Sequence, residues 1–189
     1  MIALKEWGAA AHALLQGRQR VLLRKGGIHE KRFTLEDSRF LLYPTVAHSH
    51  AASTRPEHAD LLPLGTADVT EGTVVVRAVL SVVQVVEVAR PDRIAELAPL
   101  HIWTTESVRT NRIDFRPKHR LAAIVVSARP LPAPIEIPVR PEYGGCRSWV
   151  QLPIDPADPA VLDVPTAVDS AADESDLRAV AARVRAAVG

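Results

Sequence analysis

The strongest hydrophobic pattern lies over residues 73–89. There Thr73-Val74-Val75-Val76-Arg77-Ala78-Val79-Leu80-Ser81-Val82-Val83-Gln84-Val85-Val86-Glu87-Val88 is dense in β-branched residues and predicts a strand. It exceeds an ordinary strand length, so a bend or bulge is expected within 78–81. Arg77, Ser81 and Glu87 stand at even steps and are expected on one outward face. Residues 120–128 repeat the valine-rich pattern, and 135–139 form a further strand after the proline-punctuated stretch 129–134. A closing strand is expected at 148–152. Earlier in the chain, a strand at 20–24 precedes an extended pair, 32–35 and 40–43. Glu36-Asp37-Ser38 supplies turn chemistry between that pair, so the three predict a meander.

Helical spacing appears at both ends. Leu4, Trp7, Ala11 and Leu14 fall at three- and four-residue steps and predict a helix over 2–16, stopped by Gly17. His12 lies off that stripe and is expected at the surface. Arg55-Pro56 opens a short helix near 57–61, Pro91 opens another to Leu97, and a third begins at Thr104 or Thr105. Residues 153–172 turn to Pro, Asp and Ala, the composition of a linker or of an arm along the surface. In the last stretch, 174–188, Leu177, Val180, Ala181, Val184 and Val188 share a face, Asp173 is placed to cap the start, and Arg183 and Arg185 complement the C-terminal dipole.

Composition bounds the function classes. With 189 residues, 47% of them hydrophobic, the chain is long and apolar enough for one packed domain. No apolar run reaches the length of a membrane span, and the start lacks the basic, apolar and small-residue order of a signal peptide. The single cysteine, Cys146, excludes an intramolecular disulfide and fits a reducing, cytoplasmic setting. A net charge of +1 does not attract polyanions globally, so any nucleic-acid surface must be a local patch.

The candidate chemistry starts at Val21-Leu22-Leu23-Arg24-Lys25-Gly26-Gly27-Ile28, where an apolar strand runs into two cations and two glycines. Glycine allows close backbone approach, so this rim suits an anionic or nucleotide-like ligand. The plain alternative is a hairpin turn with solvated cations. Arg24, Lys25, Arg116, Lys118 and Arg147 offer phosphate contacts, and Tyr43, Trp103 and Trp149 offer stacking faces; buried tryptophans in the core are the competing reading. Gly144-Gly145 ahead of Cys146-Arg147 is a second permissive turn. His48, His50 and His58 are the local candidates for metal ligation, with His101 a distant fourth, but no cysteine pair or His–Glu helix motif completes a zinc set. Accordingly no cofactor is expected. Cys146 with His101 could form a nucleophile–base pair, and Lys25 with Glu30 or Glu36 an acid–base pair.

Leu4-Lys5-Glu6-Trp7, Arg24-Lys25-Gly26-Gly27-Ile28, Leu42-Tyr43-Pro44-Thr45, His101-Ile102-Trp103-Thr104 and Tyr143-Gly144-Gly145-Cys146-Arg147-Ser148-Trp149 together resemble the bacterial family of domain of unknown function 1802, over about residues 2–152. That family implies no activity. More distantly, the helix, Gly17, strand and basic turn look like the opening of ASCH domains in the PUA-like group, and 121–138 is similar to the late strands of PUA-like and EVE barrels. The resemblance implies a small open barrel with helices at its rim. It also implies binding of RNA or modified bases and, in some ASCH proteins, amidohydrolase chemistry with a lysine and a carboxylate, here Lys25 with Glu30 or Glu36.

The reading that follows is an α+β fold: a mixed, mostly antiparallel, open barrel-like sheet with flanking helices and a C-terminal helix. Its core is expected over 1–152, with an arm over 153–172 and the final helix over 173–189. The expected function is a binding module for single-stranded RNA, DNA or a nucleotide, with ligand contacts from Arg24, Lys25, Gly26, Gly27, Tyr43, Trp103, Arg147 and Trp149. The alternatives are a small hydrolase using Lys25, Glu30, Cys146 or His101, and an adaptor that docks a protein partner on its C-terminal helix.

Overall fold

A computed structural model describes residues 1–26, 32–145, 147–162, 164 and 171–189. Six strands make one sheet in the order β2-β5-β4-β3-β1-β6. They are β1 (Ile2–Trp7), β2 (Val21–Lys25), β3 (Arg39–Thr45), β4 (Thr73–Glu87), β5 (Leu121–Pro138) and β6 (Trp149–Gln151). β1 runs parallel to β3, and the other pairings are antiparallel. The α-helices are α1 (Gly8–Leu15), α2 (Ser49–Ser53), α3 (Leu61–Ala67), α4 (Thr105–Val108), α5 (Pro159–Leu162) and α6 (Ala171–Val188). Three-residue-per-turn segments cover Pro56–His58, Pro91–Leu100 and Pro141–Tyr143, and a π-helical turn covers Arg109–Asp114.

Alternation along the central strands divides the core. On β5, Leu121, Ala123 and Val125 face α6 and the Pro91–Leu100 segment, while Ala122, Ile124 and Val126 face the other way. β2 does the same with Val21 and Leu23 against Leu22. The second face collects Leu22, Ile124, Leu80, Phe40 and Leu42, and Leu4, with Ala11 and Leu14 of α1. Leu22 and Leu4 belong to β2 and β1, four places apart in the sheet. They reach one cluster only because the sheet curls, so its concave face is the inner core. Burying such large side chains contributes roughly 1.5–3 kcal/mol each.

Several sequence expectations change. Residues 2–7 are a strand rather than the first turns of a helix. β1 is flanked by β3 and β6 and buries Ala3 and Leu4 on opposite faces, so it shows no clean alternation, and pairing overrides local spacing. The helix begins at Gly8 and ends as expected, with Gly17 at φ +71°. Residues 32–35 form no strand, and β2 pairs with β5, so there is no meander. His12 is not at the surface: its Nε2 lies 2.7 Å from the carboxylate of buried Asp68, which Arg77 also holds at 2.7 Å. β4 carries its irregularities at Val76/Ala78 and Val82/Gln84, on either side of the expected 78–81.

The two strands expected over 120–139 are one, β5, which continues through Pro130, Pro132, Pro134 and Pro138. β2 pairs with Leu121–Val125, and among the described residues no strand pairs with that side of β5 beyond this point. The four prolines all stand at even positions and present their missing donors to a single side, where no ladder bond is lost.

The C-terminal helix packs inward. Val180, Ala181, Val184, Ala187 and Val188 join the core beside β4 and the Pro91–Leu100 segment, and Leu177 is buried too. The face that would dock a protein partner is therefore covered by the chain itself. Asp173 lies within the first turn and pairs with Arg129, and Arg90 donates to the carbonyls of Arg185 and Ala186 at the helix end. Of the stretch 153–172, Ile154, Val161 and Val164 are buried, and Arg39 donates to the carbonyls of Val161 and Val164 at 2.8 and 2.7 Å. Among the described residues no helix is long and apolar enough to cross a membrane.

α1 and α3 meet backbone to backbone. A Cβ on Gly65 would lie 2.4 Å from the Ala9 nitrogen, and one on Gly8 would lie 2.6 Å from the Gly65 oxygen. Gly65→Ala is expected to separate the helices and destabilise the protein by about 1–3 kcal/mol, measured by urea unfolding. Wild-type stability in that variant would show that the contact gives way freely.

Candidate functional site

β1 and β3 run parallel and end side by side, with Trp7 opposite Thr45. The glycine crossing places the start of α1 against α3, while the chain after Thr45 passes through Val46 and Ala47 into α2. These ends enclose a cleft of about 440 Å³, lined by alanine, valine and leucine side chains and by Thr45, Thr66, His48 and His50. Among the described residues no Asp, Glu, Lys or Arg side chain lines it.

An aromatic column stands behind one wall and reaches the cleft through His50. The His50 ring stacks on Trp7, with centroids 3.6 Å apart and planes 15° apart, and Trp103 meets Trp7 edge-on at 4.3 Å. The amide of Ala47 donates to His50 Nδ1 at 3.3 Å, which leaves the ring proton on Nε2. Burial lowers the His50 pKa to about 4, so the imidazole is neutral at ordinary pH.

Beneath this wall lies a buried charge cluster. Glu6 is 3% exposed. One of its oxygens accepts from the Trp7 amide at 2.9 Å, and the other lies 3.3 Å from Arg24. Arg24 also donates to the Lys5 carbonyl at 3.1 Å, so it bridges β2 to β1 across the gap where the sheet does not close on itself. Arg112 donates to the Leu23 carbonyl at 3.1 Å. Burial lowers its pKa, the Glu6 charge opposes that shift, and Arg24 reinforces it.

The structure separates the expected ligand residues into different neighbourhoods. Lys25 donates to the carbonyls of Arg112, Ile113 and Phe115 at 2.7, 3.2 and 2.6 Å and holds the π-helical turn. Burial, then Arg112, lowers its pKa, while Asp114 acts against them. Its ammonium is committed to these carbonyls. Arg24 sits over Phe33 at 5.6 Å, and Phe33 stacks on half-buried Trp149 at 5.7 Å. Trp149 donates to the Thr34 carbonyl at 3.0 Å, so the indole is anchored. Trp103 is 5% exposed, in the column behind the cleft. Tyr43 is buried in a third cluster, edge-on to Tyr143, and burial then Tyr143 raise its pKa.

Gly26 is buried, its carbonyl near His119, while Arg147 is exposed. Gly27, Glu30 and Cys146 lie outside the described residues, and Glu36 is exposed on the rim of a separate cleft beside Met1 and Gln151. Lys5 donates to the carbonyls of Tyr143 and Gly145, which ties down the start of the second glycine turn.

The histidines do not gather. His48 and His50 are not in an extended segment: α2 begins between them and turns His50 onto Trp7. His58 bonds Arg55, and His101 is 1% exposed, with burial foremost, then Arg55, lowering its pKa to about 4. Among the described residues no three His, Cys, Asp or Glu side chains could hold a metal ion.

Sequence reasoning missed Trp7 and Glu6 as the organising pair because it placed both on a helix. The signal lay in the apolar strand reading into Gly8, which parallels the strand-into-glycine pattern at Gly26.

A profile of the family described as Domain of unknown function (DUF1802) matches residues 3–170. No curated protein matches the chain. Crystal structures of ASCH from Zymomonas mobilis are similar to it. A serine-to-alanine variant superposes with a TM-score of 0.49 at 12% identity, covering 95% of this chain and 94% of that one. The unsubstituted protein gives 0.46 at 12% identity, covering 80% of this chain and 86% of that one.

Two outcomes follow from this geometry. Glu6→Gln removes the carboxylate that faces Arg24 and is expected to cost about 3–5 kcal/mol of unfolding free energy, read from denaturant curves; a loss below 1 kcal/mol would mean that solvent already screens the pair. Folding also holds His50 neutral, so the unfolded chain takes up its proton first. The stability this contributes is full above about pH 6.5 and is lost as the pH falls toward 4, with a slope of up to about 1.4 kcal/mol per pH unit. His50→Phe keeps a ring on Trp7 and should flatten that slope by one group's share, leaving the His101 share in place. An unchanged slope would place the titration elsewhere.

Proposed function

The chain belongs to the DUF1802 family, and we propose that it is a binding module for nucleotide-like ligands whose base enters the cleft at the ends of β1 and β3. The supporting observation is the column Trp103–Trp7–His50, which ends at a cleft of about 440 Å³ that no Asp, Glu, Lys or Arg side chain among the described residues lines. The lining offers no counter-charge, so it favours a neutral group over a charged one. A flat heterocycle with donors and acceptors on its edge meets the apolar walls with its faces and the polar groups with its edge. Thr45, Thr66, His48 and the His50 ring N–H supply those polar groups. Any phosphate stays outside the cleft. The single cysteine fits action in a reducing cytoplasm.

A hydrolase using Lys25 has less support, since that ammonium is bound by three carbonyls. The adaptor reading loses its docking face to the core.

Calorimetric titration with the four ribonucleosides and their free bases tests the reading. At least one is expected to bind saturably. Ala51→Phe, at an exposed position on the cleft wall, is expected to abolish binding without disturbing the core. His50→Phe should weaken it roughly fivefold by losing one hydrogen bond. If no compound binds, or if Ala51→Phe binds as wild type does, the base does not enter this cleft.

A further inference from the structure

We propose that the connection from α4 to β5, residues 109–120, is a second binding surface, one that takes the backbone and an unstacked base of single-stranded nucleic acid. Arg109, Arg112, Arg116, Lys118 and Arg120 stand in it against Asp114 alone. Arg109 and Lys118 are exposed, and Arg120, also exposed, pairs with Glu87. In their midst Phe115 is 57% exposed, and no other Phe, Tyr or Trp among the described residues is exposed. The Arg116 guanidinium lies over its ring, 5.0 Å from the centroid.

The backbone here is both strained and fixed. Arg116 is the one described residue other than glycine at positive φ, +51°. A left-handed arginine is held only where its surroundings over-determine it. The fixing bonds come from Lys25 to three carbonyls, from the Phe115 amide to Thr110 at 3.1 Å, and from the His119 amide to the Arg116 carbonyl at 2.9 Å. Lys25 thus serves a ligand indirectly, by holding the turn that presents the ring.

A rigid aromatic in water does nothing for the core, but it loses little entropy when a base stacks on it. The surrounding cations select a polyanion, and the ring selects one that carries flat faces. An acidic peptide satisfies only the first condition. The surface shares no lining residue with the cleft, so the two readings stand or fall separately.

Fluorescence anisotropy of a labelled oligouridylate, titrated over a range of salt with polyglutamate as the comparison polyanion, tests this. Binding is expected to weaken with salt. Phe115→Ala should lower affinity roughly tenfold, and Lys118→Ala should reduce the slope of log affinity against log salt by about 0.7. Arg116→Gly relieves the backbone and should preserve stability while weakening binding. Ala51→Phe should leave the salt-dependent, Phe115-dependent part of oligouridylate affinity unchanged. The proposal is overturned if oligouridylate does not bind at low salt, if Phe115→Ala binds as wild type, or if polyglutamate binds equally well. It is also overturned if Ala51→Phe abolishes the binding that Phe115→Ala leaves intact.

Discussion

Glu6 is the constraint on which the rest of the structure depends. A curled sheet of six strands leaves β2 and β1 facing each other without a backbone ladder, and Arg24 spans that gap to Glu6 and the Lys5 carbonyl. A carboxylate 3% exposed is tolerable only with such a partner. Its position also fixes Trp7, whose amide it accepts, and Trp7 in turn carries His50 and Trp103. The seam of the barrel and the wall of the cleft are thus one connected assembly.

That connection explains why the cations flagged by their adjacency do not line the cleft. Arg24 is spent on the seam and Lys25 on the π-helical turn, and each satisfies groups that would otherwise be buried without partners. What remains available to ligands is of two kinds: a neutral, ring-sized cleft, and a cationic turn with an exposed ring. On the proposed readings their chemistries are complementary, the first taking a base and the second a strand.

The architecture was largely legible in the sequence. Valine-rich β4 and β5, the proline-started segments, Gly17 at the end of α1 and the amphipathic α6 all declare themselves through periodicity or turn chemistry. β1 was not legible, because a strand buried on both faces shows no alternation, and Leu4 and Trp7 happen to fit a helical step as well. The unity of β5 was hidden by prolines that sequence alone reads as breaks. The site was less legible than the fold. His50 and Trp7 are 43 residues apart and meet only through the parallel pairing of β1 with β3, and the fate of a lysine depends on which carbonyls a distant turn brings to it. Burial of Trp103 followed the ordinary habit of tryptophan.

The prolines of β5 have a further consequence. A strand whose outer side is unpaired normally offers a row of donors and acceptors to any passing chain, and so invites edge-to-edge association. Here Pro130, Pro132 and Pro134 remove successive donors from a single side of the strand. That side can still accept hydrogen bonds but cannot complete an antiparallel ladder. The prolines thus act against the recruitment of a second copy along that side of the strand.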